Sequence, residues 1–240
     1  MLGRFLEISV HAPDVAESLA FYESLGFVQA VAGDVWSHPY AVITDGRLFL
    51  GLHQYRFPSP ALTWVHPELA DRLPLLRELG IEFEFERLGA DVFNEVGFLD
   101  PHGQMVALLE ARTYSPPDLP PAQTSACGDF AEYALPVRQF EPGRQFWEAL
   151  GFVSLDAGDS PFPRLTLTSD HLNIGLYRTR SIKGPSLVFE GQQMGQRIAD
   201  LRDRGLAISD DLPDGLDDAH NGSLAAPEGT RLLLLDAAGL

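Results

Sequence analysis

The stretch FYESLGF at residues 21–27 returns as FWEALGF at 146–152, and its surroundings return with it. Phe21 and Phe146 stand 125 positions apart. So do Glu7 in FLEISV and Glu132 in FAEYAL, Pro60 and Pro185, and Gly80 and Gly205 at the ends of LRELG and LRDRG. Gly51 and Gly175 are 124 apart, and Gly103 and Gly229 are 126 apart. A drift of one residue is what changes in loop length produce. The period is too long for a solenoid unit and has the size of a domain. The chain is therefore expected to fold as two copies of one architecture.

Between the copies lies YSPPDLPPAQTSACG, residues 114–128, with four prolines and no apolar period. Such a segment reads as an extended, semi-rigid linker. This places domain one at 1–113 and domain two at 129–240.

Within domain one, FLEISVHA alternates as a half-buried strand does. Asp14 followed by Glu17 has the form of a capping box. Val15, Leu19, Tyr22 and Leu25 then share a helical face, and Gly26 stops the helix. FVQAVAG, SHPYAVIT and RLFLGLHQ read as strands, with an Asp45-Gly46 hairpin turn between the last two. ALTWVH, the helix LADRLPLLRELG and the strands EFEFER, NEVGFLD and QMVALLEA repeat the order. Pro74 predicts a kink or a late start in that helix. Each domain is thus βαβββ twice over, an α+β chain of four modules.

Composition excludes several partners. With 34 acidic against 17 basic residues the net charge is −17. Such a surface repels nucleic acid and anionic lipid. There is no apolar run long enough to span a membrane and no secretion signal at the start. The single Cys127, in the polar stretch QTSACGD without a basic neighbour, predicts neither a disulfide nor a nucleophile and suits a reducing cytoplasm. Nucleotide-binding glycine motifs, the nucleophile elbow, CxxC and HExxH are all absent.

The motifs LEISVHAPDVAESLAFYESLGF and FLDPHGQMVALLEA resemble the vicinal oxygen chelate superfamily of glyoxalases, extradiol dioxygenases and fosfomycin- and bleomycin-resistance proteins. The weaker copies AEYALPVRQFEPGRQFWEALGF and LAAPEGTRLLLLDA extend the likeness to nearly the whole chain. The resemblance implies a glyoxalase-like fold, with tandem paired βαβββ modules whose curved mixed sheets form cup-shaped sites. In such enzymes a divalent metal sits in the cup, held by first and last strands of the modules. Carried over by position, the ligand places fall at Glu7, Gly51, Ala61 or Thr63, and Ala107 in domain one. In domain two they fall at Glu132, Gly175, Ser186 and Leu233. Only the first place in each domain holds a donor, and a catalytic metal takes three or more. The expectation is therefore no cofactor. A divalent metal would need a shifted set of Glu7, His11 and His53, joined by Glu95 or His38.

Strand alternation points Glu7, Ser9, His11, Phe49, His53, Tyr55, Thr63 and Met105 into the first cup. That mixture of aromatic and polar groups suits a small-molecule site. Ser9, His11, Phe49, His53, Tyr55, Thr63, Met105 and, in domain two, Glu132 are the expected ligand-binding residues. Glu7 is the candidate general base, with a partnered carboxylate as the plainer reading. The second cup, beside the loop-rich SDDLPDGLDDAHNG, is expected to be filled. His66 reads as a helix-start residue. His102, His171 and His220 read as surface. The first functional reading is a resistance-type protein that binds a small organic ligand without metal. The alternative is a divalent-metal-dependent lyase or dioxygenase. Pairing of the two domains within one chain is expected, with a homodimer open.

Overall fold

The computed structural model describes residues 1–30, 37–111 and 125–237. The expected linker falls largely on residues outside this set, as do the last three residues of FVQAVAG.

The first half forms β1 (Arg4–His11), α1 (Val15–Ser24), β2 (Val28–Gln29), β3 (Tyr40–Thr44) and β4 (Phe49–His53). It continues with β5 (Ala61–His66), a single 3-10 turn (Ala70–Arg72), α2 (Leu73–Glu78), β6 (Phe83–Arg87), β7 (Glu95–Leu99) and β8 (Met105–Glu110). These eight strands make one mixed sheet in the order β2-β3-β4-β1-β5-β8-β7-β6. The second half forms β9 (Asp129–Pro136), α3 (Glu141–Ala149), β10 (Val153–Ser154), β11 (Arg164–Thr168) and β12 (Asn173–Tyr177). Then come β13 (Ser186–Gly191), α4 (Met194–Asp203), β14 (Gly222–Ala225) and β15 (Arg231–Asp236). Its sheet has seven strands, β10-β11-β12-β9-β13-β15-β14. The fourth module lacks the strand equivalent to β6. SDDLPDGLDDAHNG runs there as turns, with one bridge between Ser209 and Ser223.

The local chemistry follows the sequence. The Asp14 side chain accepts from the Glu17 N–H and caps α1. Pro74 sits in the first turn of α2, where its missing N–H costs nothing. It produces the late start rather than a kink. In the β3–β4 hairpin the Asp45 carboxylate accepts from the backbone N–H groups of Arg47 and Leu48, and Gly46 takes φ +97.

The face of each sheet opposite the cup is apolar, and the two faces belong to one continuous core. The repeated aromatic motifs build it. Phe27 meets Phe189 of the other half edge-on at 6.1 Å. Trp147 lies 6.2 Å from Trp64, and Phe146 lies 6.2 Å from Phe98. Polar latches close both ends. Ser18 and Tyr22 on α1 donate to the Glu228 carboxylate in the β14–β15 turn, at 2.7 and 2.8 Å. Reciprocally, the Trp147 indole N–H on α3 donates to Asp100 in the β7–β8 turn at 3.2 Å. The Tyr133 hydroxyl donates to Gln104 just beyond that turn at 2.8 Å. Pairing of the halves within the chain is thus observed.

His102 departs from expectation. It is half-buried against Gly143 on α3, and its Nε2 has no partner among the described residues. The turn that carries it is covered by the other half. His171 and His220 are exposed as expected. His66 is buried at the end of β5, where its Nε2 accepts from Arg72. Cys127 is buried and free, and burial pushes its thiol up to about 12. It is inert. No helix among the described residues is long and apolar enough to cross a membrane.

Candidate functional site

The first-half sheet carries a cavity of about 480 Å³ on the face away from the shared core. Ala61, Met105, Ala107 and Leu109 form an apolar floor, and Tyr55, Phe57, Phe85 and Phe93 supply rings. Ser9, Thr63, His38 and His53 contribute polar atoms, and Arg56, Arg87 and Glu95 stand at the lining as well. Of the residues read from alternation, Ser9, His53, Tyr55, Thr63 and Met105 line this cavity. His11 and Phe49 do not, although both are half-buried. His11 lies past the point where β1 pairs with β5, and its backbone N–H is held by Ser59. Phe49 stands at the start of β4, opposite Thr44. Alternation gives the side of the sheet but not the distance from the cup.

Glu7 is set behind the wall. It is 4% exposed, and no lining atom of the cavity belongs to it. Its carboxylate lies over Gly51, where any Cβ would overlap it. The absent side chain at 51 is what makes room for the acid. Ser9 donates its hydroxyl to Glu7 Oε1 at 2.7 Å. That uses the only hydrogen Ser9 Oγ has, so Thr63 donates to Ser9 across 2.8 Å. His53 Nε2 lies 2.8 Å from the same Oε1. A carboxylate only accepts, so Nε2 carries the hydrogen. His53 Nδ1 then faces His38 Nε2 at 3.1 Å. Tyr40, opposite His53 on β3, stacks on its ring at 5.8 Å and 9° and holds its plane. Burial, and then the electrostatic influence of neighbouring His53, lowers the pKa of His38 below its ordinary 6.5, so its ring is neutral at pH 7. Glu7, His53 and His38 thus form a hydrogen-bonded chain from the sheet interior to the cavity. His38 was named only as a reserve metal ligand; it falls in SHPYAVIT, read as a strand, but the strand begins at Tyr40 and His38 stands before it.

The second half repeats the device and closes it. Glu132 lies over Gly175, where a Cβ would come within 2.5 Å of its carboxylate. Tyr177, equivalent to His53, donates to Glu132 Oε1 at 2.5 Å, and Thr166 donates to Oε2 at 2.8 Å. Burial raises the Glu132 pKa against these two bonds. Over this sheet Ala134, Tyr177, Val188, Leu233 and Leu235 pack against Phe162 and Ile182. The cup is full, as expected. Val188, not Ser186, stands in the row of Glu132 and Leu233. Glu132 instead borders a polar cavity of about 490 Å³ with Arg47, Asp129, Arg164 and Glu190.

The donors present were tested against a divalent ion. An ion takes ligands that converge on one point at about 2.0–2.2 Å. Glu7, His53 and His38 are strung in a line instead. The His53 ring offers Nε2 to one neighbour and Nδ1, on its opposite edge, to the other. Thr63 and Ala107, in register with Glu7, add no strong donor. The His11 side chain makes no hydrogen bond or ion pair among the described residues, and Glu95 is paired with Arg87 at 2.5 Å. Among the described residues no group of three metal-type side chains converges. The residues described do not fit a metal centre.

No protein-family model matches the chain, and no curated protein does. Solved structures do match. One is a variant of homoprotocatechuate 2,3-dioxygenase from Brevibacterium fuscum in complex with HPCA, at 17% identity and a TM-score of 0.61. It covers 96% of this chain and 70% of that one. Another is a catechol 2,3-dioxygenase at 14% identity and TM-score 0.57, covering 96% and 86%. A third is 2,2',3-trihydroxybiphenyl 1,2-dioxygenase from Sphingomonas wittichii strain RW1, at 15% and 0.61, covering 99% and 91%. At such identities the likeness shows the fold. It agrees with the α+β tandem glyoxalase-like fold that the sequence motifs imply. The matches also correct one expectation. These three matched chains are dioxygenases, and oxygen chemistry is carried by a metal or other cofactor rather than by side chains. The expectation of no cofactor, drawn from four ligand places read one by one, does not hold against them.

Proposed function

We propose that the first-half cup is the active site of an enzyme acting on a small aromatic molecule. In it the His38–His53 pair takes a proton from a substrate hydroxyl. The observation that carries this reading is the chain from Glu7 through His53 to His38, which ends in a cavity of about 480 Å³. A neutral imidazole is the side chain suited to accept a proton near pH 7. The buried Glu7 carboxylate fixes the His53 tautomer and stabilises the imidazolium once a proton arrives, as the acid of a triad does. Ser9 and Thr63 hold that carboxylate in place. Glu7 is therefore a positioning residue that acts through His53. The rings and apolar floor exclude water and seat a flat body.

The likeness to dioxygenases favours the alternative that the chain is a metal-dependent dioxygenase or lyase of atypical ligand set. One experiment addresses both. The purified full chain is analysed for bound metal, then given catechols in an oxygen electrode with and without added divalent iron. Turnover of a catechol that falls by about 10²-fold or more in Glu7→Gln and His53→Gln supports the proton-transfer reading. Oxygen uptake decides between ring cleavage and a lyase. A stoichiometric metal would show that donors beyond the described residues complete a set. Binding without turnover of any aromatic substrate would overturn the enzyme reading. The proposed boundaries of the two units, 1–113 and 129–240, would be checked by limited proteolysis.

A further inference from the structure

The polar groups of the first-half cup are nearly all committed to one another. Glu7 is held by Ser9 and His53, Ser9 by Thr63, and His53 by His38. Arg87 is paired with Glu95. Arg56 is different. It stands in the loop after β4, lines the cavity, and makes no ion pair or side-chain hydrogen bond among the described residues. The lining beside it is aromatic, with Tyr55, Phe57, Phe85 and Phe93. An apolar, ring-lined space with one unpaired guanidinium at its lining matches a ligand with a flat apolar body and one planar anionic end. Guanidinium binds a carboxylate with two parallel hydrogen bonds, which fixes orientation as well as charge.

Resting on the reading of this cup as a substrate site, we propose that its ligand is an aromatic carboxylate whose acid group docks on Arg56. The test uses three probes of one shape: benzoate, benzamide and the benzamidinium cation. Their binding to the full chain is measured by titration calorimetry at low salt. Benzoate is expected to bind about tenfold or more tighter than benzamide, the equivalent of one charge-assisted contact, and benzamidinium most weakly. Arg56→Gln should bring benzoate to within about threefold of benzamide and leave benzamide unchanged. Arg56→Glu should reverse the order of the charged probes. Arg56 is exposed, so both variants should keep the native melting temperature. Equal binding of benzoate and benzamide by the native chain would overturn the role of Arg56 while leaving the cup a binding site. Preference for benzoate that survives Arg56→Gln would overturn it as well and point to Arg87. If none of the three probes binds, the reading of the cup as a site falls, and this proposal falls with it.

Discussion

Gly51 and Glu7 should behave as one unit in thermodynamics. A methyl at position 51 would occupy the space of the Glu7 carboxylate. The backbone at Gly51 is ordinary strand, so alanine meets no conformational penalty and gains up to about 1 kcal/mol from a less flexible unfolded chain. The cost arises at Glu7. Pushed aside, its carboxylate loses the bonds from Ser9 at 2.7 Å and His53 at 2.8 Å. Bonds to a charged group contribute about 1.5–3 kcal/mol each. Part of that returns if the acid reaches water, so Gly51→Ala should destabilise by about 2–4 kcal/mol. Glu7→Ala alone leaves Ser9 and His53 buried without their acceptor, at a similar cost. In the double variant the overlap is gone, because the methyl enters space the acid has left. Its stability should match Glu7→Ala alone, giving a coupling of about 2 kcal/mol or more. Urea unfolding of the four proteins, followed by the fluorescence of the buried Trp64 and Trp147, measures this cycle. Effects that add within about 0.5 kcal/mol would show that Gly51 and Glu7 do not share one space, and the account of the buried acid would fail.

Other consequences can be tested alongside. Ala107 in the open cup takes the register place of Leu233 in the closed one. Ala107→Leu should abolish ligand binding with less than about 1.5 kcal/mol lost, whereas Leu233→Ala should cost about 2–5 kcal/mol in urea unfolding. Glu132 has a folded-state pKa raised by burial above its ordinary 4.5. The folded chain therefore holds that proton more tightly than the unfolded one. Its contribution is full below about pH 4.5 and is lost as pH rises through the folded value. Glu132→Gln should flatten this slope in melting curves taken across pH 4–8. His38 has the opposite sign. Its pKa is lowered, so stability present above 6.5 is lost as pH falls through the folded value, and His38→Asn should remove that loss. Glu228→Ala strands the buried hydroxyls of Ser18 and Tyr22 and should cost about 2–4 kcal/mol in the same urea assay.

The fold was legible because duplication prints every structural requirement twice. Gly26 and Gly151, Tyr22 and Trp147, and Glu7 and Glu132 each report a shared constraint, and all serve the same places in the two halves. The late start of α2 followed from Pro74 because proline acts through its own missing N–H. The site was legible only in part. Period-two alternation found Ser9, His53, Tyr55, Thr63 and Met105, since a strand shows its face in sequence. His38, Arg56, Phe57, Phe85 and Phe93 also line the cavity. Several of them lie on loops whose direction no period encodes, and Phe85 lies beyond an irregularity in the β6–β7 register. The role of Gly51 was visible as lost ligand chemistry but not as room for Glu7, because that depends on one strand beside another. His102 was misplaced for the same reason. A turn is exposed only when nothing else packs on it.

The two latches join equivalent helices to equivalent turns, through Tyr22 and Trp147, but their acids stand at different places in the turn: Glu228 aligns with His102, and Asp100 with Ala226. One uses a glutamate that receives two hydroxyls; the other uses an aspartate that receives an indole. Two separate copies of a single chain, joined about a twofold axis, would have to use the same latch twice. Fusion into one polypeptide lifts that demand, and each seam is then free to change alone. The difference between the Glu228 and Asp100 latches is one that a fused chain permits and a symmetric pair of identical chains does not.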